Sequence, residues 1–86
     1  MPRYFFHLKD HATYSDETGS ELPDDAAARR NAVGFLGAVL HDEPDLLWDG
    51  RDMQVHVMTE DQRLVCTVVV VGVQTSADPQ SRNQPD

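Results

Sequence analysis

Asp24-Asp25-Ala26-Ala27-Ala28-Arg29-Arg30-Asn31-Ala32-Val33-Gly34-Phe35-Leu36-Gly37-Ala38-Val39-Leu40-His41 is the stretch that decides the fold. At about 100° per residue, Ala28, Ala32, Phe35, Leu36, Val39 and Leu40 fall on one stripe, the pattern of a helix with a single buried face. Leu22-Pro23-Asp24 opens it: Asp24 is the expected N-cap, and Asp25 is favourable in the first turn. His41 falls in the last turn, where a cationic imidazole suits the carbonyl end. Asp42-Glu43-Pro44 stops the helix, because proline cannot continue it. Everything else reads as strand, turn or tail, so the stripe has a sheet to cover.

The opposite face of this helix carries Gly34, Gly37 and Ala38 beside Arg30 and Asn31. Each glycine costs roughly 1 kcal/mol against alanine in a helix interior. Either another backbone approaches closely there, as in a dimer, or the face is simply untuned.

On the N-terminal side, Arg3 to Leu8 is the first strand. Tyr4, Phe6 and Leu8 point to the face that meets the helix stripe, while Arg3, Phe5 and His7 point away from it. Lys9 to Ser20 holds a turn and a short second strand near Ala12 to Ser15. An acidic corner follows, with Asp16, Glu17, Glu21, Asp24 and Asp25 close together and Gly19 marking a position suited to positive φ. Capping and solvated loop account for this corner. A cation site is the sharper alternative, but Asp16-Glu17-Thr18-Gly19-Ser20-Glu21 lacks the alternating acids and sixth-position glycine of an EF-hand loop.

On the C-terminal side, Leu46, Leu47 and Trp48 lie in a loop ending at Asp49-Gly50. They are expected to fold back as a lid over one end of the core, with a ligand-stacking Trp48 as the functional alternative. Arg51 to Met58 alternates, with Met53, Val55 and Val57 inward and Gln54 and His56 outward. After the turn Thr59-Glu60-Asp61-Gln62, Leu64 to about Val71 returns to form a hairpin. Val68 to Val71 is apolar on both faces. Either this strand is central and covered on both sides, or its second face meets another chain. Phe5 makes the same demand on the first strand, which points to a homodimer. From about Thr75 the chain has no periodicity and little to bury. Residues 1–74 are therefore expected to form a single domain, and 75–86 a disordered tail.

Composition sets limits on function. Fifteen Asp and Glu against seven Lys and Arg give a formal charge of −8. That balance argues against direct nucleic-acid binding, which depends on cationic neutralisation of phosphate. It accommodates a basic protein partner, or it keeps a small domain soluble. The single cysteine, Cys66, excludes an internal disulfide and fits a reducing cytoplasm. No signal peptide is evident, and no window approaches the roughly 18 apolar residues of a membrane span.

Catalytic and metal chemistry find little support. His7 and His11 straddle a strand and a turn, so they lack a shared face. His7 and His56 can meet on the outer sheet face if their strands are neighbours, but a pair without a third ligand makes a poor site. Ser15 and Ser20 lack a nucleophile-elbow pattern, and Cys66 reads as core. The carboxylates sit in solvated contexts that leave their pKa values ordinary. No Gly-rich phosphate loop occurs. The expectation is a non-enzyme with no catalytic residue, cofactor or metal.

Pro2-Arg3-Tyr4-Phe5-Phe6-His7-Leu8, Asp16-Glu17-Thr18-Gly19-Ser20-Glu21-Leu22-Pro23-Asp24 and Ala27-Ala28-Arg29 with Ala32 resemble a family of small uncharacterised bacterial domains. Its members typically begin M-P-R-Y-[FY]-F-[HD]-[LV] and continue D-x-E-G-x-[ED]-L-P-D into an Ala-rich helix and a closing hairpin. The resemblance covers roughly residues 1–72. The chain departs from it by one residue inside Glu17-Thr18-Gly19, and by Gly34 and Gly37 on a helix face that is usually charged. A weaker, architectural similarity runs to HicB-type antitoxin domains.

The resulting expectation is an α+β domain, an antiparallel sheet of three to four strands with one helix on one face, in the order β-β-α-β-β. Its role is that of a small cytoplasmic interaction module, self-associating through the sheet face around Phe5, His7, His56, Val69 and Val71, with Gly34 and Gly37 as a further candidate surface. The alternative is an antitoxin-like regulator that binds a basic protein.

Overall fold

A computed structural model describes residues 1–10, 12–49 and 52–75. The elements are β1 (Arg3–Lys9), β2 (Thr13–Tyr14), β3 (Ser20–Glu21), α1 (Asp25–Asp42), a 3₁₀ turn (Pro44–Asp49), β4 (Met53–Thr59) and β5 (Leu64–Val70). They form one antiparallel sheet in which β1 and β4 are central, β5 is one edge, and the two-residue strands β2 and β3 share the other edge beside β1. The α+β order β-β-α-β-β stands, with β3 as a short fifth strand. The second strand is confined to Thr13–Tyr14, inside the expected Ala12 to Ser15.

The helix begins as its sequence dictates. Asp24 is the N-cap, extended at φ −162°, and its carboxylate accepts the N–H of Ala27 at 2.9 Å. At the other end the N–H of Glu43 donates to Val39 O at 2.9 Å before Pro44 ends the helix. The buried stripe is Ala28, Ala32 and Leu36, with Val39 and Leu40 half-buried. Ala28 and Ala32 are fully buried, and their small side chains let the helix backbone lie close to the sheet. Phe35 departs from the expected stripe at 37% exposed. The cause is placement: α1 lies chiefly over β4 and β5, so residues on its β1 flank overhang an open space.

Period-two alternation positions the inner sheet face. Tyr4, Phe6, Met53, Val55 and Val57 are buried beneath α1. Burying each Val or Met contributes roughly 1.5–3 kcal/mol. Register carries the same face onto β5, since Val57 opposes Cys66, Val55 opposes Val68 and Met53 opposes Val70. Cys66 is half-buried there, and burial pushes its thiol pKa up. Between β4 and β5 the pairing slips at Val57/Met58, so that Met58 opposes Leu64 and Val65 is the extra residue of a bulge.

The lid of Leu46 and Leu47 packs against the core as expected. Trp48 is half-exposed, and its ring runs over the backbone of Gly72; a Cβ built there would lie 2.8 Å from Trp48 Cζ3. The expected tail from Thr75 falls almost wholly outside the described residues, as do His11, Gly50 and Arg51.

Candidate functional site

β5 settles one of the alternatives left open by the sequence. It pairs with β4 alone and is an edge strand, so the apolar run Val68 to Val71 is not the centre of a sheet. The helix covers the inner face, and among the described residues no second layer covers the outer one. Antiparallel register assembles that outer face row by row: Phe5 opposes Met58, His7 opposes His56, His56 opposes Thr67, and Gln54 opposes Val69. Leu64, Val69 and Val71 are 54%, 50% and 59% exposed, respectively. A shallow hollow of about 460 Å³ runs between His7, Ser15, His56, Met58 and Leu64.

The expected surface residues do not all behave alike. His7 and His56 are direct cross-strand partners, as their strand placement allowed. Each ring has another hydrogen-bond partner: His7 Nδ1 accepts the N–H of Asp16 at 3.1 Å, and His56 Nδ1 is hydrogen-bonded to Thr67 Oγ1 at 3.1 Å. Among the described residues no three His, Cys, Asp or Glu side chains converge as a metal site requires. Phe5 is half-buried, because the loop at Gly19 folds against it. Val69 and Val71 are open. Gly34 and Gly37 lie on the solvent side of α1, on the opposite surface of the molecule, and a Cβ at either meets nothing within 4 Å. Thus the outer face unites Val69, Val71, His56 and Met58, and the glycines are no part of it.

The acidic corner has a structural task that the sequence disclosed only in part. β1 pairs with β3 at Arg3 and Tyr4 and with β2 at Leu8 and Lys9, which leaves a gap in the ladder between them. Asp16 fills it. Its carboxylate accepts the N–H groups of Phe6 (3.1 Å), Thr18 (3.0 Å) and Gly19 (3.0 Å). Partial burial opposes ionisation, but these N–H groups of Gly19, Phe6 and Thr18 prevail and hold the Asp16 carboxyl below the ordinary aspartate range. Arg3 clamps the same loop, donating to Thr18 O at 2.9 Å and pairing with Glu21 at 2.9 Å. Gly19 takes φ 78°, the positive value its type suggested. The signal that could have exposed Asp16 is the spacing Asp16-x-x-Gly19, an Asx turn closed by a left-handed residue.

A second polar cluster joins the helix start to the β4–β5 turn. Arg63 forks onto Asp25 at 3.1 and 3.2 Å, and Tyr4 Oη donates to Asp25 Oδ1 at 2.7 Å. The Arg63 and Tyr4 hydrogen bonds lower the Asp25 pKa, and the Asp25 carboxylate in turn raises that of Tyr4. Buried Thr59 donates to Asp61 and accepts the N–H of Arg63 at 3.0 Å. The carboxylates are therefore not uniformly ordinary: Asp16, Asp25 and Asp61 are all lowered by hydrogen bonds inside the chain. These networks are consumed in holding elements together.

A family model described as a domain of unknown function, DUF6894, matches residues 3–71. The chain belongs to that family. The matched span of this DUF6894 domain begins at the first residue of β1 and ends just past β5, so all five strands and the helix lie within it. No curated protein and no solved structure matches the chain. Among the described residues, no helix of the DUF6894 domain is long and apolar enough to cross a membrane.

Proposed function

We propose that this DUF6894 domain is a small cytoplasmic interaction module that associates with a second copy of itself through the outer face and free edge of its sheet. The observation that carries this reading is the placement of exposed Leu64, Val69 and Val71 on an outer face, beside a sheet edge that no other strand among the described residues pairs with. Leu64–Val70 contains no charged residue and no proline, and beyond the bulge at Val65 nothing among the described residues blunts it. Edge strands in soluble monomers usually carry lysine, proline or a cover, because their free N–H and C=O groups recruit other strands. An identical strand running antiparallel satisfies those groups and brings the exposed apolar side chains of the two copies onto one continuous face.

Each copy carries a formal charge of −8, so long-range repulsion opposes the association and salt relieves it. Light scattering on a sizing column at low and high salt tests the proposal. The expected mass is twice the 9.6 kDa of the chain, and it persists or strengthens at high salt. Val69→Lys is the sharper companion variant than Phe5→Lys, because Val69 is half-exposed whereas Phe5 also supports the Gly19 loop. Val69→Lys is expected to be a folded monomer. A monomeric parent chain at both salts refutes the proposal.

A further inference from the structure

We infer that the groove between α1 and the β1–β2 edge receives a basic, amphipathic segment of another protein. The groove arises because α1 lies over β4 and β5 and leaves its other flank overhanging. It consists of two hollows of about 400 and 360 Å³, joined through Leu8 and Tyr14. Phe6, Leu8, Tyr14, Phe35, Val39 and Leu46 give it an apolar lining. Tyr14 and Phe35 stand 56% and 37% exposed, two aromatic walls left in water. The helix wall runs from Asn31 to Asp42, which at about 1.5 Å rise per residue is roughly 16 Å, the length of a three-turn helix.

Charge selects the occupant. Asp10, Asp16, Asp42 and Glu43 line the two hollows, and among the described residues no Lys or Arg does. Asp16 is engaged with backbone N–H groups and Asp10 accepts the N–H of Ala12 at 3.2 Å, so Asp42 and Glu43 are the acids that concentrate the field at one end. That end is also the C-terminus of α1, whose carbonyls add negative potential. A segment fits when large apolar residues lie between Tyr14 and Phe35 and an Arg or Lys reaches Asp42 and Glu43, the groove mode of helix recognition. A second copy of this chain, itself at −8, is disfavoured by the same field, as is nucleic acid. The groove lies on the helix side of the sheet and meets the outer-face hollow only at Ser15, so Val69 is far from its lining and serves as a control.

The test is selection of a displayed library of random peptides, about 12 residues long to span a three-turn helix, against the full chain, followed by anisotropy titration of enriched peptides. The expected sequences carry Arg or Lys beside apolar residues at helical spacing, and their affinity falls as salt rises. Asp42→Lys with Glu43→Lys changes two exposed side chains and suits the helix end, so the variant stays folded; it should weaken binding at least about tenfold. Tyr14→Ala should weaken it comparably, and Val69→Lys should leave it unchanged. No enrichment, enrichment of uncharged or acidic peptides, or binding indifferent to both groove variants overturns the inference. Peptides lost on Val69→Lys but kept by the groove variants place the binding on the outer face, which overturns this inference without touching the oligomeric-state test.

Discussion

Replacing Gly34 and Gly37 with alanine should stabilise the domain. Both lie in the interior of Asp25–Asp42, both are exposed, and a Cβ at either position has nothing within 4 Å. Each substitution therefore adds no clash and removes the backbone freedom that glycine loses on folding, a gain of about 0.8–1 kcal/mol in a helix interior. The two positions are neighbours on one helix face, but a Cβ at either meets no partner the other could share, so the gains sum to about 1.5–2 kcal/mol. For a domain of this size each 1 kcal/mol moves the midpoint by roughly 4–8 °C, so the double variant should melt some 6–16 °C higher.

Thermal and urea unfolding followed by circular dichroism read this directly, at matched protein concentration because association also raises the apparent midpoint. An unchanged m value with a higher urea midpoint confirms that only stability moved. A double variant no more stable than the parent refutes the reasoning. If that variant has also lost a dimer present in the parent, a second backbone presses on the glycine face. The interface is then on the helix, and the outer-face association is wrong.

Gly19→Ala should destabilise by about 1–2 kcal/mol in urea melts, because the residue sits at φ 78° and its Cβ would lie 2.9 Å from both Arg3 Cγ and Phe5 Cε2. Asp16→Ala should cost about 1–2 kcal/mol at neutral pH by freeing the N–H groups of Phe6, Thr18 and Gly19. Because the folded Asp16 pKa is lowered, its contribution is full above the unfolded value of about 3.9 and is lost as pH falls through the lower folded value. Parent and Asp16→Ala should therefore converge in stability at acid pH, and a gap that persists at low pH contradicts the role. Gly72→Ala should displace the only tryptophan, since the new Cβ falls 2.8 Å from Trp48 Cζ3. Unchanged Trp48 emission in that variant would show that the ring does not rest there.

What the sequence discloses and what it hides separate along a physical line. Local chemistry is legible: the Asp24 cap, the stop before Pro44, the alternation of Met53, Val55 and Val57, and the positive φ at Gly19 all follow from neighbours along the chain. Pairings between distant segments are not. Asp16 reads as one acid among several until β2 and β3 are seen to leave a gap opposite Phe6, and Arg63 shows no link to Asp25 until the hairpin returns beneath the helix start. The stripe on α1 likewise reads as one buried face. Where the helix sits across the sheet, which no period encodes, leaves Phe35 overhanging an open flank.

The ambiguity of Val68 to Val71 has a physical root. A strand buried on both faces and an edge strand that meets a partner need the same residues, because both remove two faces and two edges from water. Only strand order distinguishes them, and here β5 is last in the sheet. Val68 and Val70 pack against the core, whereas Val69 and Val71 on the other face have no cover among the described residues. Thr67 is the one polar side chain on Leu64–Val70, and it is already hydrogen-bonded to His56 across the strand pair. Nothing on the strand repels a copy of itself, whereas the acid-lined groove on the helix side repels one. The two proposed associations therefore rest on opposite physics: apolar contact that salt does not screen on one side, and charge attraction that salt weakens on the other.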